Sequence, residues 1–252
     1  MTGFLGNPIP LVTAANGFPQ PVPASVLRVV GNAIRHAWTI IESDPKTHLL
    51  PPGPGAPEED IYSNALCHLM QQFLLVESSP VPGFTSAVFD AVGRCESIEN
   101  FDGSSLNKNP DLVIRLSHRS LVATRRWLGL FIESKVVSMD RSIDAYATDG
   151  VGRFVRGEYS WAMQDSLMLA YQKPRPRPLA SLEKRLAADT ALSAKKQAGV
   201  VLQVRAEFLP LTACSTHERS WTYVGGDAPG PIRVWHLWDL PIPGGTTKAK
   251  AK

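Results

Sequence analysis

The sequence predicts an α/β fold, and three observations predict it. Two apolar runs, residues 111–116 (DLVIRL) and 127–137 (WLGLFIESKVV), have the length and the β-branched content of strands. Two segments ahead of them, residues 25–41 and 58–76, carry apolar residues at helical spacing. The composition agrees: of 252 residues, 44% are hydrophobic and 19% charged, as in a chain that buries a core.

Taken in order, residues 1–23 are rich in Pro and Gly without a period and read as an irregular arm. Residues 25–41 place Val26, Val29, Val30, Ala33, Ala37, Ile40 and Ile41 on one helical stripe. A Pro/Gly loop at 43–57 ends that helix. Pro57 and the acids Glu58, Glu59 and Asp60 then mark a second helix start, because carboxylates suit the positive end of the helix dipole. Residues 84–101 read as a short helix at 87–92 followed by a strand at 95–101.

The 111–116 strand follows, then a polar connection at 117–126, then the 127–137 strand. The latter is apolar on both faces, as expected of a central strand covered by helices. Residues 144–171 read as helix, broken near 150–157. KPRPRP at 173–178 cannot be helical and marks a connection. Residues 179–197 read as a basic amphipathic helix, and 200–208 and 232–240 as strands. The expected organisation is one domain at 24–240 with its core at 58–172, preceded by the arm and followed by a disordered basic tail at 241–252.

Composition excludes several classes. No run approaches the roughly 18 apolar residues of a membrane span, and the first residues lack the features of a signal peptide. A soluble, cytoplasmic protein without a membrane partner is the expectation. Cys67, Cys95 and Cys214 are odd in number and widely spaced, which points to buried free thiols rather than disulfides or a zinc knuckle. The six histidines form no zinc-binding pattern, and no P-loop, G-x-G-x-x-G or G-x-S-x-G is present. Trp235, His236 and Trp238 alternate on a late strand and read as core. His118, in the connection beside the strands, is a candidate for substrate contact.

The net charge of +3 is distributed unevenly. Residues 172–205 hold eight Lys and Arg against two acids, a net +6, and the tail adds three lysines. A basic segment on an acidic body suits either a polyanionic partner or a solvated helix face.

The chemistry concentrates in Pro110-Asp111 and Glu133-Ser134-Lys135. In a strand Glu133 and Lys135 project together and Ser134 points away. A carboxylate in an otherwise apolar strand is costly unless a cation or hydrogen bonds compensate it. Pro110, lacking an N–H, suits the first position of a strand. Antiparallel pairing of the two strands brings Asp111 near Glu133 at one sheet end. Two carboxylates with water and phosphate oxygens are a usual way to hold Mg²⁺. E-x-K alone recurs by chance about once in a chain of this size. Asp44-Pro45-Lys46 is such a decoy, in a loop with no strand around it.

With its context, the order of an acidic helix start, P-D, E-x-K and a further helix resembles the PD-(D/E)XK nuclease superfamily over residues 58–172. The resemblance implies a restriction-endonuclease-like mixed β-sheet flanked by helices, and Mg²⁺-dependent (alternatively Mn²⁺-dependent) hydrolysis of phosphodiester bonds in DNA. It also implies a setting in phage defence, restriction or repair, and a homodimer. Asp111 and Glu133 would be metal ligands with the Ser134 backbone carbonyl. Lys135 would orient the attacking water, and Glu58 or Glu59 would be the helix acid. Arg153 and Gln164, on the helix expected after E-x-K, are candidates for phosphate contact or support of the site. Two rival readings remain. One is a catalytically inactive nuclease-fold module that binds nucleic acid or a protein. The other is an α/β protein in which the two motifs are coincidental.

Overall fold

Spacing along the chain explains where the first helices form and what they bury. In the computed structural model, which describes residues 18–50, 53, 55–117, 127–192, 202–203 and 206–244, helix α1 spans Ala24–Ser43. It buries Leu27, Val30, Ile34, Ala37, Trp38 and Ile41, residues three or four apart that form one face. Asp44 ends α1 and caps the four-residue helix α2 (Pro45–His48), its carboxylate accepting from the Thr47 N–H and hydroxyl. That is the structural role of the decoy Asp44-Pro45-Lys46. Helix α3 (Glu58–Leu75) starts directly after Pro57 with three acids in its first turn and buries a broad face that includes Tyr62, Ser63, Leu66, Met70 and Phe73.

The strands are β1 (Phe89–Gly93), β2 (Leu112–Leu116), β3 (Gly129–Val137), β4 (Asp165–Gln172), β5 (Leu202–Gln203), β6 (Ala213–His217) and β7 (Ile232–Pro241). They form one mixed sheet in the order β1-β2-β3-β4-β7-β6-β5. The centre, β3, β4 and β7, is parallel, while β1/β2 and β6/β5 add antiparallel strands on either side. β3 is buried everywhere except at Lys135, and β4 is buried throughout, so the expected central strand is present. Helices flank the sheet. α1 and α3 pack together, with Trp38 stacked on Tyr171 of β4 at 5.1 Å. A π-helical segment, Ala145–Val151, runs into helix α4 (Gly152–Val155) and packs on β3.

Several sequence expectations are corrected. Residues 87–92 are not helical: β1 occupies Phe89–Gly93, and only an isolated bridge from Ile98 to Lys108 stands where a strand at 95–101 was expected. The long helix at 144–171 ends at Val155, and its last part is β4. Helix α5 spans only Leu179–Ala188, after which Asp189 accepts from the Ala191 and Leu192 N–H groups of a 3-10 turn. Residues 193–197 lie outside the described residues. Of the strand expected at 200–208, Leu202–Gln203 is strand and Ala206–Phe208 is a 3-10 turn, while residues 200, 201, 204 and 205 lie outside the described residues. β6 was not foreseen.

The end of the N-terminal arm is fixed rather than irregular. Gln20 exchanges backbone hydrogen bonds with Ala162 and Gln164, and Val22 N–H donates to the buried Asp165 at 2.8 Å. Residues 1–17 and the tail at 245–252 lie outside the described residues. Of the thiols, Cys67 is buried as expected, but Cys95 is exposed and Cys214 half-buried. Among the described residues no helix is long and apolar enough to cross a membrane.

A buried polar chain crosses β7 and β6. Leu192 O can only accept, so His217 Nδ1–H donates to it at 2.9 Å and His217 Nε2 must accept. Ser215 therefore donates to His217 Nε2 (2.7 Å) and accepts from His236 Nε2–H (2.9 Å). His236 Nδ1 in turn accepts from Tyr146 O–H at 3.0 Å. Burial pushes His217 down to about 4 and His236 down to about 3. Trp235 and Trp238 are buried beside them, as core residues.

Candidate active site

Asp111 stands just before β2, beside Glu133, Ser134 and Lys135 in the second half of β3, which continues past the end of β2. Leu112 pairs with Ile132, so Asp111 stands opposite Glu133 and Pro110 opposite Ser134 on continuing that register. Pro110 has no N–H to offer Ser134. The Asp111 carboxylate takes the place of a ladder partner instead. Its Oδ2 accepts from Ser134 N–H at 2.7 Å and from the Ser134 hydroxyl at 2.6 Å. The N–H and C=O of one strand residue point to the same side, so the Ser134 carbonyl also faces this end, where no proline N–H can reach it.

Behind Asp111 runs a line of hydroxyls. Ser134 spends its proton on Asp111, so the Ser63 hydroxyl of α3 donates to Ser134 at 2.8 Å, and Tyr171 O–H donates to Ser63 at 3.1 Å. Burial raises the Tyr171 hydroxyl far above its ordinary value, which keeps it a donor. Ser63 and Tyr171 were not among the sequence candidates. The only available signal was that Ser63 lies one turn after Glu59 on the same helix face.

Glu133 faces the opposite side of β3 and is fully buried. Arg153 of α4 reaches it, with Nη1 at 3.3 and 3.4 Å from the two carboxylate oxygens. Lys135 Nζ stands 3.6 Å from Glu133 Oε2 and 3.6 Å from Glu59 Oε1, bridging β3 to the start of α3. Burial pushes Glu133 up to about 7, and the Asp111 charge adds to this, while Lys135 and Arg153 oppose it. Arg153 is partly desolvated, but Glu133 holds it charged, above its ordinary range. The Tyr159 hydroxyl is buried in the field of Glu133 and Arg153 and makes no hydrogen bond of good geometry. Gly157 carries the chain between Arg153 and Tyr159 at φ +68°, and a Cβ there would lie 2.7 Å from Trp221.

The structure thus brings together Asp111, Glu133, Ser134, Lys135, Glu59 and Arg153. Glu58 is drawn elsewhere, into ion pairs with Lys173 at 2.7 Å and Arg141 at 3.0 Å. Gln164 is not on a helix. It directly precedes β4, level with the start of β3 and several residues below Glu133. His118 lies outside the described residues. Of the basic segment, Lys195, Lys196 and Arg205 lie outside the described residues, and four of the described cations are engaged within the chain, Lys173 with Glu58 among them. Arg175 pairs with Asp140, Arg185 with Asp144 and Asp189, and Arg177 donates to the Ser138 and Met139 carbonyls. Those arginines clamp the connection after β3.

The donor atoms suit a small hard cation. Asp111 and Glu133 offer carboxylate oxygens, their charges repel each other across the strand end, and the Ser134 carbonyl lacks a ladder donor. Among the described residues no cluster of three or more His, Cys, Asp or Glu side chains is arranged to hold an ion. Any cation here would complete its shell with water or substrate oxygens. An apolar cavity of about 470 Å³, lined by Pro23, Val26, Val88, Leu116 and Leu128, holds none of these groups. No family model, no curated protein and no solved structure matches the chain.

Proposed function

We propose that the chain is a metal-dependent nuclease that hydrolyses phosphodiester bonds in DNA, on a restriction-endonuclease-like variant of its mixed α/β sheet. The observation that carries this reading is Glu133, a fully buried carboxylate on the central strand. It lies one strand from Asp111 and is joined through Lys135 to Glu59. Asp111, Glu133 and the Ser134 carbonyl would hold Mg²⁺ or Mn²⁺. Such a cation, when bound, polarises the scissile phosphate and acidifies a water.

The remaining roles belong to side chains. Lys135 Nζ carries donors for the attacking water or a non-bridging phosphate oxygen, and Glu59 and Glu133 fix its position from two sides. Arg153 neutralises Glu133 and has a partly exposed guanidinium able to meet a phosphate. The hydroxyl line through Ser134, Ser63 and Tyr171 holds the Asp111 carboxylate in one orientation.

Plasmid DNA with Mg²⁺ or Mn²⁺ tests the reading. Wild type should nick or linearise it, and Lys135→Ala and Asp111→Asn should each lose at least about 100-fold in rate. Full activity in both variants would put the catalytic centre elsewhere. The second reading, an inactive nucleic-acid-binding module, draws on Arg153 and Lys135 already compensating Glu133 within the chain. DNA binding by wild type without cleavage in either metal would favour it.

A further inference from the structure

A second cavity, of about 290 Å³, opens beside the candidate active site. Its polar lining is Asp60, Asn64 and Arg94, and Leu50, Ala56 and Ile61 supply apolar wall. Its position follows from register. Gly93 pairs with Val113 on β2, and Leu112 pairs with Ile132 on β3. Continuing the first register sets Arg94 beside Leu112, one residue from Asp111, so Arg94 lies just past the end of β1 near Asp111 and about 10 Å (two strand spacings) from β3. The first turns of α3 span this distance. Glu59 reaches Lys135 on β3, Ser63 reaches Ser134, and Asp60 contacts Arg94 beyond the end of β1. The buried Tyr171 hydroxyl feels both Asp111 and Arg94, which ties the cavity electrostatically to the site.

The lining offers unused hydrogen-bonding capacity of both kinds. The Arg94 Nη2 is engaged in an ionic contact with Asp60 at 2.7 Å, and its buried Nε has no hydrogen-bond partner among the described residues. Among the described residues Asn64 makes no side-chain hydrogen bond. A phosphate would suit Arg94 but not the Asp60 carboxylate beside it. A nucleobase suits all three: its edge carries donors for Asp60, acceptors for Arg94, and either for the Asn64 amide, and its flat apolar faces match the aliphatic wall.

We propose that this cavity is a base-binding subsite for an unpaired nucleotide next to the scissile phosphate, read by Asp60, Asn64 and Arg94. The proposal rests on the nuclease reading above and adds to it a substrate class, DNA that is single-stranded near the cut. A paired base could not enter, because its hydrogen-bonding edge is already occupied.

The test uses the full chain and labelled single-stranded oligonucleotides of mixed sequence, each lacking the base at one position. Cleavage is followed in Mn²⁺ and binding by fluorescence anisotropy in EDTA. Wild type should lose about tenfold in kcat/KM when the missing base lies at one particular position close to the cut, and little elsewhere. In Asn64→Ala, whose side chain makes no hydrogen bond among the described residues, that position-specific loss should fall below about threefold. Arg94→Gln should behave likewise.

A flat scan in wild type, or an Asn64→Ala defect equal on every oligonucleotide, would overturn the subsite. So would an Arg94→Gln effect confined to the salt dependence of binding, which marks a phosphate contact. Position-specific loss of binding without cleavage would support the subsite and remove only the catalytic reading. Neither binding nor cleavage would overturn both.

Discussion

Replacing Glu133 by Gln should make the protein's stability respond differently to pH, and the size of that change follows from the carboxyl's surroundings. In the folded chain Glu133 titrates at about 7, against 4.5 when unfolded. Between those values the folded state holds a proton that the unfolded state has released, so the group's contribution to stability falls as pH rises. It is unaffected below about 4.5, and the full penalty is reached above about 7. A gap of about 2.5 units corresponds to about 3 kcal/mol.

Glu133→Gln removes the titration and leaves a pH-independent offset from the altered contacts with Arg153 and Lys135. Urea unfolding of both proteins in EDTA from pH 4 to 8 measures the difference. The stability of Glu133→Gln relative to wild type should rise by about 3 kcal/mol across that range, mostly between 4.5 and 7. A constant difference, or one moving the other way, would show that Arg153 and Lys135 outweigh burial and keep Glu133 ionised throughout.

Three further outcomes are expected. Tyr159→Phe removes a buried hydroxyl without a good partner and should leave urea stability unchanged or raise it by up to about 1 kcal/mol; a loss above about 1.5 kcal/mol would mean that the hydroxyl bonds Glu133 in solution. Ser215→Ala leaves His217 Nε2 and His236 Nε2–H without their shared partner and should cost about 2–4 kcal/mol at pH 7, a cost that equilibrium unfolding reads directly. Gly157→Ala meets both a positive φ and the Trp221 ring and should lower stability by about 2–4 kcal/mol; a loss below about 1 kcal/mol would show that the turn after α4 can relax.

The sequence disclosed the site better than the sheet that carries it. β3 was legible because an acid and a lysine interrupt an apolar run, and α3 because Pro57 and three acids announce its start. The sequence of β4 does not announce a strand because Asp165–Gln172 is buried on both faces, so it shows neither the alternation of a half-exposed strand nor a clear helical stripe. β1 and β6 span only five residues each, too short for periodicity to separate strand from turn.

Glu58 and Glu59 were indistinguishable by position. They part only in three dimensions, where Lys173 and Arg141 claim one and Lys135 the other. The hydroxyl line behind Asp111 depends on the register of two strands and a helix, which no local pattern encodes. The role of Pro110 is legible only in retrospect, as an N–H missing opposite Ser134.

The polar chain from Tyr146 through His236, Ser215 and His217 to Leu192 has a consequence for strand alignment. β7 is buried on both faces over most of its length, so apolar patterning specifies its pairing with β6 only weakly. A slip of β6 by one residue would carry Ser215 and His217 together to the other face, breaking the bonds to His236 Nε2–H and to the Leu192 carbonyl. Because a carbonyl terminates the chain, its protons can run in only one direction, and one alignment of β6 on β7 satisfies all of them. The two bonds that leave β6, from Ser215 to His236 and from His217 to Leu192, thereby act as a registration key at the side of the sheet where hydrophobic contrast is least able to choose.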